Sequence, residues 1–219
     1  MTLPLFLLSL FSIASILLPL SLAIVYSKKR GIFFDQRINL VVAYIIVITL
    51  LHGIMTFLAF NSINNLFLMR TINYVDLFFL GLFLVSFYSR SKLIRFAIIF
   101  LLFGIVFLID LYLGLSSTSP NEQATVVSII LIWLVILVSK KINYSDERGK
   151  TYSYFLLAIA VGAINNLSII VSDILPQLFV FIIAIANIAC YILYSIGFYI
   201  LIKKTKPSNS PLKQKTRSS

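Results

Sequence analysis

Arg70, Asn73 and Asp76 recur at every third residue in a stretch otherwise made mostly of Leu, Phe, Ile and Val. A guanidinium, an amide and a carboxylate at this spacing spread over about 120° of a helix with 3.6 residues per turn. Together they can bind a cation, hold a proton or hydrogen-bond a polar ligand. His52, Asp110, Asn165 and Asn166 stand in equally apolar surroundings. Polar and ionisable groups in such surroundings are costly, so they are functional candidates by default. These seven residues are the candidate ligand pocket. The carboxylates are expected to be tied to Arg70 or His52, because an isolated buried charge neutralises instead. Two plainer roles stand beside this one. Arg70 can snorkel to headgroups with Asp76 paired to it, and the asparagines can bridge helices.

Other chemistries find little support. There is one histidine, His52, and one cysteine, Cys190. No Ser-His or Cys-His pair stands at recognisable spacing. Neither an internal disulfide nor a multi-thiol or multi-histidine metal site can form. The expectation is a non-enzymatic protein with no cofactor and no metal, in which Cys190 serves as a small packing residue.

The elements that must position these groups are set by composition. Of 219 residues, 60% are hydrophobic and 11% are charged, and the mean hydropathy is +1.04. Soluble domains carry about 25% charged residues, so a membrane protein is expected. A spanning helix needs about 20 mostly apolar residues. Seven runs meet this: Leu3–Tyr26, Ile38–Phe60, Leu66–Tyr88, Leu93–Leu115, Pro120–Val138, Tyr152–Ser172 and Leu178–Ile202. The fifth starts with Ser119-Pro120-Asn121-Glu122, a capping box with proline at the first helical position.

Charge orients the runs. Seventeen of the eighteen Lys and Arg residues fall in alternate gaps or the C-terminal tail, and Arg70 is the exception. Short basic loops stay cytoplasmic. The N-terminus is therefore expected outside and the C-terminus inside. Met1-Thr2-Leu3-Pro4 carries no charged side chain, so the first run reads as an uncleaved anchor and not a signal peptide. Residues 1–202 form an all-α, polytopic, seven-helix transmembrane domain in this reading, placed in a cell membrane of prokaryotic inner-membrane type. Residues 203–219 form a disordered basic tail whose Lys203, Lys204, Lys206, Lys213, Lys215 and Arg217 bind anionic inner-leaflet headgroups. The net charge of +11 is thus assigned to lipid and not to nucleic acid.

Aromatic residues refine the picture. Tyr26, Tyr88, Tyr152, Tyr154 and Tyr199 are expected in the inner interfacial belt, and Tyr112 in the outer one. Trp133 lies within the fifth run and is expected to pack against another helix. A weak repeat links Gly81 before Arg90 with Gly197 before Lys203.

The segment Arg70-Thr71-Ile72-Asn73-Tyr74-Val75-Asp76 resembles the third-helix motif of microbial rhodopsins. That family holds retinal on a seventh-helix lysine. Here the seventh run offers Tyr191, Tyr194 and Ser195, so no covalent pigment is expected. The layout also resembles the seven-helix sensor regions of bacterial membrane signalling proteins and their stand-alone relatives. The shared features are an N-out first helix, a basic turn, the outer turn Asn61-Ser62-Ile63-Asn64-Asn65-Leu66-Phe67, and basic inner loops. This resemblance implies a sensor with an outer-half pocket. A kinase or cyclase domain follows the helices in those proteins and none follows here, so output is expected through a separate membrane or cytoplasmic protein partner. A small solute or ion transporter and a structural subunit of a membrane complex are the alternatives. Only Pro19 interrupts a run deeply, which disfavours the paired helix breaks of many transporters.

Overall fold

The computed structural model describes residues 11, 14–30, 36–60, 66–89, 91–114, 120–167 and 176–204. Among them the chain is all-α. The seven helices are α1 (Leu17–Arg30), α2 (Gln36–Phe60), α3 (Leu66–Val85), α4 (Lys92–Gly114), α5 (Pro120–Ser139), α6 (Glu147–Leu167) and α7 (Pro176–Lys204). Each overlaps one apolar run.

Helix starts follow local chemistry. Pro120 opens α5, where its missing N–H costs nothing. The helix α6 begins five residues before the apolar stretch at Tyr152, within the charged segment Glu147-Arg148-Gly149-Lys150. The Asp146 carbonyl closes its first turn by accepting from the Lys150 N–H at 2.9 Å. Ser15 and Ile16 form a turn ahead of α1. Pro19 therefore sits in the first turn of α1, where proline is tolerated, and the interruption expected of it falls one turn earlier, at Ser15 and Ile16, with Phe11 and Ala14 helical before it. The outer turn at 61–65 and tail residues 205–219, with Lys206, Lys213, Lys215 and Arg217, lie outside the described residues.

The helices α1, α2, α3, α5, α6 and α7 form a closed ring in that order, completed by contact between α1 and α7. The main contacts of α4 are with α3 and α5, so it stands outside the ring. Its exposed face includes Leu93, Phe100, Leu101, Leu108 and Tyr112. Exposed apolar side chains also recur along α1, α2, α5, α6 and α7, whereas the described side chains of α3 are buried or half-buried. The segments Gln36–Ile54 of α2 and Phe181–Lys203 of α7 are each long and apolar enough to cross a membrane.

Contacts at one end of the bundle show that the helices alternate in direction. Arg95 at the start of α4 donates to Gln36 Oε1 at the start of α2, at 3.1 Å. Arg37 donates to the Ser86 carbonyl just past α3, at 3.2 Å, and lies 4.3 Å from the centroid of the Phe87 ring. Lys141, just past α5, lies 4.3 Å from the Tyr88 ring centroid. The Tyr26 and Phe198 rings bring the ends of α1 and α7 together at 6.3 Å. The basic helix ends thus gather on one face, whereas Arg70 lies near the start of α3, toward the other.

An aromatic cluster fills the ring beneath the polar residues. Phe83, Phe155, Tyr194 and Phe198 are almost fully buried. Two aromatic expectations need correction. Trp133 is 59% exposed and faces away from the bundle, because its position on α5 points opposite to α3 and α6. Tyr26 and Tyr152 are buried and belong to the core and not to an interfacial belt. Tyr88, Tyr112 and Tyr199 are exposed.

Candidate functional site

The polar residues of the ring helices meet at a cavity of about 110 Å³. Four of the ring helices, α2, α3, α6 and α7, each contribute a stripe, set by the three- and four-residue spacing of a helix face. From α2 come Tyr44, Ile48 and His52, and from α3 come Asn73, Asp76 and Leu80. The helix α6 adds Ala158, Gly162 and Asn166, and α7 adds Asn187, Cys190, Tyr191 and Tyr194. Leu131 of α5 closes one side. A water needs about 10–15 Å³ of such space, so the cavity has room for several waters or one small polar molecule.

Asp76 supplies the one acidic group among the described lining residues. The Tyr44 hydroxyl donates to its carboxyl group. Its Oδ1 atom is buried and has no hydrogen-bond partner among the described residues. The expected tie of Asp76 to Arg70 or His52 is replaced by this tyrosine. The His52 ring is engaged locally, with Nδ1 donating to the Ile48 carbonyl at 3.0 Å. Arg70 precedes Asp76 by six residues and is not part of the lining. Asp76 stands about 15 Å along α3 from Leu66, at 1.5 Å per residue. That is near the middle of the 20-residue helix.

The remaining candidates divide. Asn166 lines the cavity. Asn165 turns to α7 instead, and its Nδ2 donates to Asn187 Oδ1 at 3.1 Å. Asn73 both lines the cavity and bridges helices, with Nδ2 donating to Gln123 Oε1 of α5 at 3.3 Å. Asp110 lies on α4, and no described residue of that helix lines the cavity. Its side chain is outside the described residues. Sequence adjacency of helices suggested its convergence with Asp76, and the peripheral position of α4 removes the reason for it. Lys203 is exposed at the end of α7.

Several lining residues were not among the sequence candidates: Tyr44, Asn187, Cys190, Tyr191 and Tyr194. Asn187, Cys190, Tyr191 and Tyr194 follow an i, i+3, i+4, i+7 pattern, which was the available sign of a shared face. Gln123 was also missed. Cys190 is buried, and its Sγ donates to the Ala158 carbonyl at 3.3 Å. Gly162 of α6 lies beside that sulfur, where a Cβ would make an ordinary van der Waals contact at 3.6 Å. No group of three or more His, Cys, Asp and Glu residues gathers as a metal site among the described residues.

The site can hold a small molecule against one carboxylate, three tyrosines, two neutral amides facing it from α6 and α7, and a histidine. No described Lys or Arg lines it, so it favours a cation or a neutral hydrogen-bond donor over an anion. No protein-family model, curated protein or solved structure matches this chain.

Proposed function

We propose that this chain is a seven-helix integral membrane protein, N-terminus outside, that senses a small cationic or hydrogen-bond-donating ligand in its central cavity. Its output passes through a separate protein partner. The observation that carries the reading is Asp76, whose Oδ1 has no described partner and which lines a 110 Å³ cavity. A carboxylate kept inside an apolar bundle is expensive, and an aromatic lining suits a small ammonium group. The membrane setting is supported by apolar side chains facing outward on α1, α2, α4, α5, α6 and α7. It is supported further by two helices of sufficient length and apolarity, and by the gathering of basic helix ends on one face.

Transport is the second reading, because an acid at mid-height also suits a cation pathway. Against it, α2, α3, α5, α6 and α7 run unbroken past the cavity, whereas many transporters bind at interrupted helices.

The test uses the full chain in lipid nanodiscs. Methylammonium should raise thermal stability saturably in the wild type and fail to do so in Asp76→Asn, while ethanol, a neutral molecule of similar size, has a smaller effect. No ligand effect for either compound, or an equal effect in Asp76→Asn, overturns the reading. Asp76-dependent uptake of methylammonium into liposomes transfers it to the transporter. Reporter fusions at Ser117 and Ser208 test orientation. Activity of a cytoplasm-dependent reporter at Ser117 rules out the N-out topology.

A further inference from the structure

A second cavity, of about 450 Å³, opens at the basic end of the bundle. It differs from the central cavity in its walls and in its charge. Three cations line it: Arg37, Lys141 and Arg148. One described carboxylate, Asp146, faces them. The described lining charge is therefore 3 − 1 = +2. From this arrangement we infer that the cavity binds a phosphate monoester, supplied by a lipid headgroup or by a soluble phosphate.

Two of the cations, Arg37 and Lys141, are held in place before any ligand arrives. Arg37 donates to the Ser86 carbonyl at 3.2 Å. Its guanidinium lies 4.3 Å from the Phe87 ring centroid and 5.9 Å from that of Tyr152. These two rings meet edge to face at 5.1 Å, so Arg37 rests on a rigid pedestal. Lys141 leans on Tyr88 at 4.3 Å. Fixing long cationic side chains in the free protein lowers the ordering cost of binding.

The rim is equally defined. The loop after α5 folds back so that the Asp146 N–H donates to the Asn143 carbonyl at 3.3 Å, and the Ser145 N–H donates to Asn143 Oδ1 at 3.1 Å. That carbonyl presses against Gly149, where any Cβ would collide with it. Glycine at this position lets the loop and the start of α6 form a single wall. The N-terminal end of α6 adds a partial positive charge to that wall.

Charge selects the ligand. A phosphate monoester carries about −1.5 to −2 at neutral pH, which matches the +2 of the described lining. A diester headgroup carries one negative charge and leaves a cation unmatched. Arginine suits such a group because its planar fork can grip two phosphate oxygens at once. The volume is within the usual range of small-molecule sites, about 300–1,000 Å³, and accommodates phosphate with a glycerol unit attached. A membrane-facing site of this kind would couple lipid composition to the helix ends that carry α3, α5 and α6.

The test uses the full-length protein in nanodiscs of zwitterionic lipid, with dihexanoyl phosphatidic acid as the probe and dihexanoyl phosphatidylcholine as the control, read by calorimetry. Saturable binding of phosphatidic acid is expected, with no binding of the choline lipid. Lys141→Gln/Arg148→Gln, both at exposed positions, should weaken it by about tenfold or more, given the strength of charged hydrogen bonds. Tail substitutions Lys213→Gln/Lys215→Gln/Arg217→Gln should change it less than about twofold if the cavity and not diffuse tail attraction binds the probe. Full displacement by millimolar inorganic phosphate assigns the site to soluble phosphate. Retention of the lipid in its presence assigns it to the headgroup. Equal binding by Lys141→Gln/Arg148→Gln and the wild type, or no binding of either phosphate probe, overturns the proposal. Its outcome is independent of Asp76 and of the central cavity.

Discussion

Replacing Gly197 with alanine would place a methyl group where α7 meets the Phe155 ring of α6. A Cβ there would lie 2.9 Å from Cδ1 and 3.1 Å from Cζ of that ring, and closer still to Cε1. The ring has no space to retreat into. Phe155 is fully buried, with the rings of Phe198, Tyr194 and Phe83 at 5.2, 6.0 and 6.3 Å. Overpacking of this kind costs about 1–3 kcal/mol. The better helix propensity of alanine returns about 1 kcal/mol. The net expectation is a loss of about 1 kcal/mol, or roughly 2–4 °C in Tm for a chain of this size. Phe155→Leu alone should cost about 2 kcal/mol through lost contacts. If steric conflict is the cause, the double variant should be less destabilised than the sum of the two by about 1 kcal/mol, as expected of residues in contact. Thermal unfolding in detergent, followed by circular dichroism, measures all three. A Gly197→Ala variant more stable than the wild type, or strictly additive effects, would refute this account of the α6–α7 contact.

Further outcomes follow from other parts of the bundle. Asn165→Ala should loosen α6 from α7 by about 0.6 kcal/mol, the mean for such bonds between membrane helices, and a thermal unfolding shift larger than that of Asn166→Ala would show it. Trp133 is the one tryptophan in the chain and is 59% exposed. Its fluorescence should be strongly quenched by brominated lipid in nanodiscs, and quenching by aqueous iodide instead would contradict the membrane reading. Trp133→Leu should change stability by no more than about 0.5 kcal/mol, as for an exposed site without special contacts. A peptide of residues 203–217 should bind anionic vesicles and release as salt rises, with each basic residue worth about 1 kcal/mol near the surface. Equal binding to neutral vesicles would contradict that.

Helix number and limits were legible because length and apolarity settle them. The apolar runs coincide with helices to within a few residues at most ends, and the exceptions have local causes. The start of α6 extends into a charged segment because Asp146 and Lys150 close its first turn. Pro19 moves to a first turn because the chain turns at Ser15 and Ile16. The gathering of basic ends was legible too, since it requires only that successive helices alternate in direction. Facing was harder. A helix that is apolar all round carries no stripe to show which side is buried. Trp133 was therefore assigned inward, although it faces outward, and Tyr26 and Tyr152 were assigned to an interface, although they lie in the core. The polar residues were the usable markers of rotation. Asp76, Asn73, His52 and Asn166 do share one cavity, while Asn165 shows the bridging role that was the plainer account of it.

Neighbour order explains the rest. Consecutive helices are usually spatial neighbours, which places α2, α3 and α4 side by side. They are side by side, yet α4 packs on the outside of α3 and the ring passes from α3 to α5. This one choice excludes Asp110's helix from the site and admits α6 and α7, which bring Asn187, Tyr191 and Tyr194 to the carboxylate. The weak glycine repeat has an explanation of the same kind. Gly81 accepts Ile99 of α4, and Gly197 accepts Phe155 of α6. Both are points where a bulky side chain presses on a helix backbone. One fastens the peripheral helix to the ring and the other joins two neighbouring helices of the ring. Their similarity in sequence corresponds to a shared packing demand. The central cavity is lined by α2, α3, α5, α6 and α7. Its polarity comes from one acid on α3 and from amides and phenols on the ring helices around it.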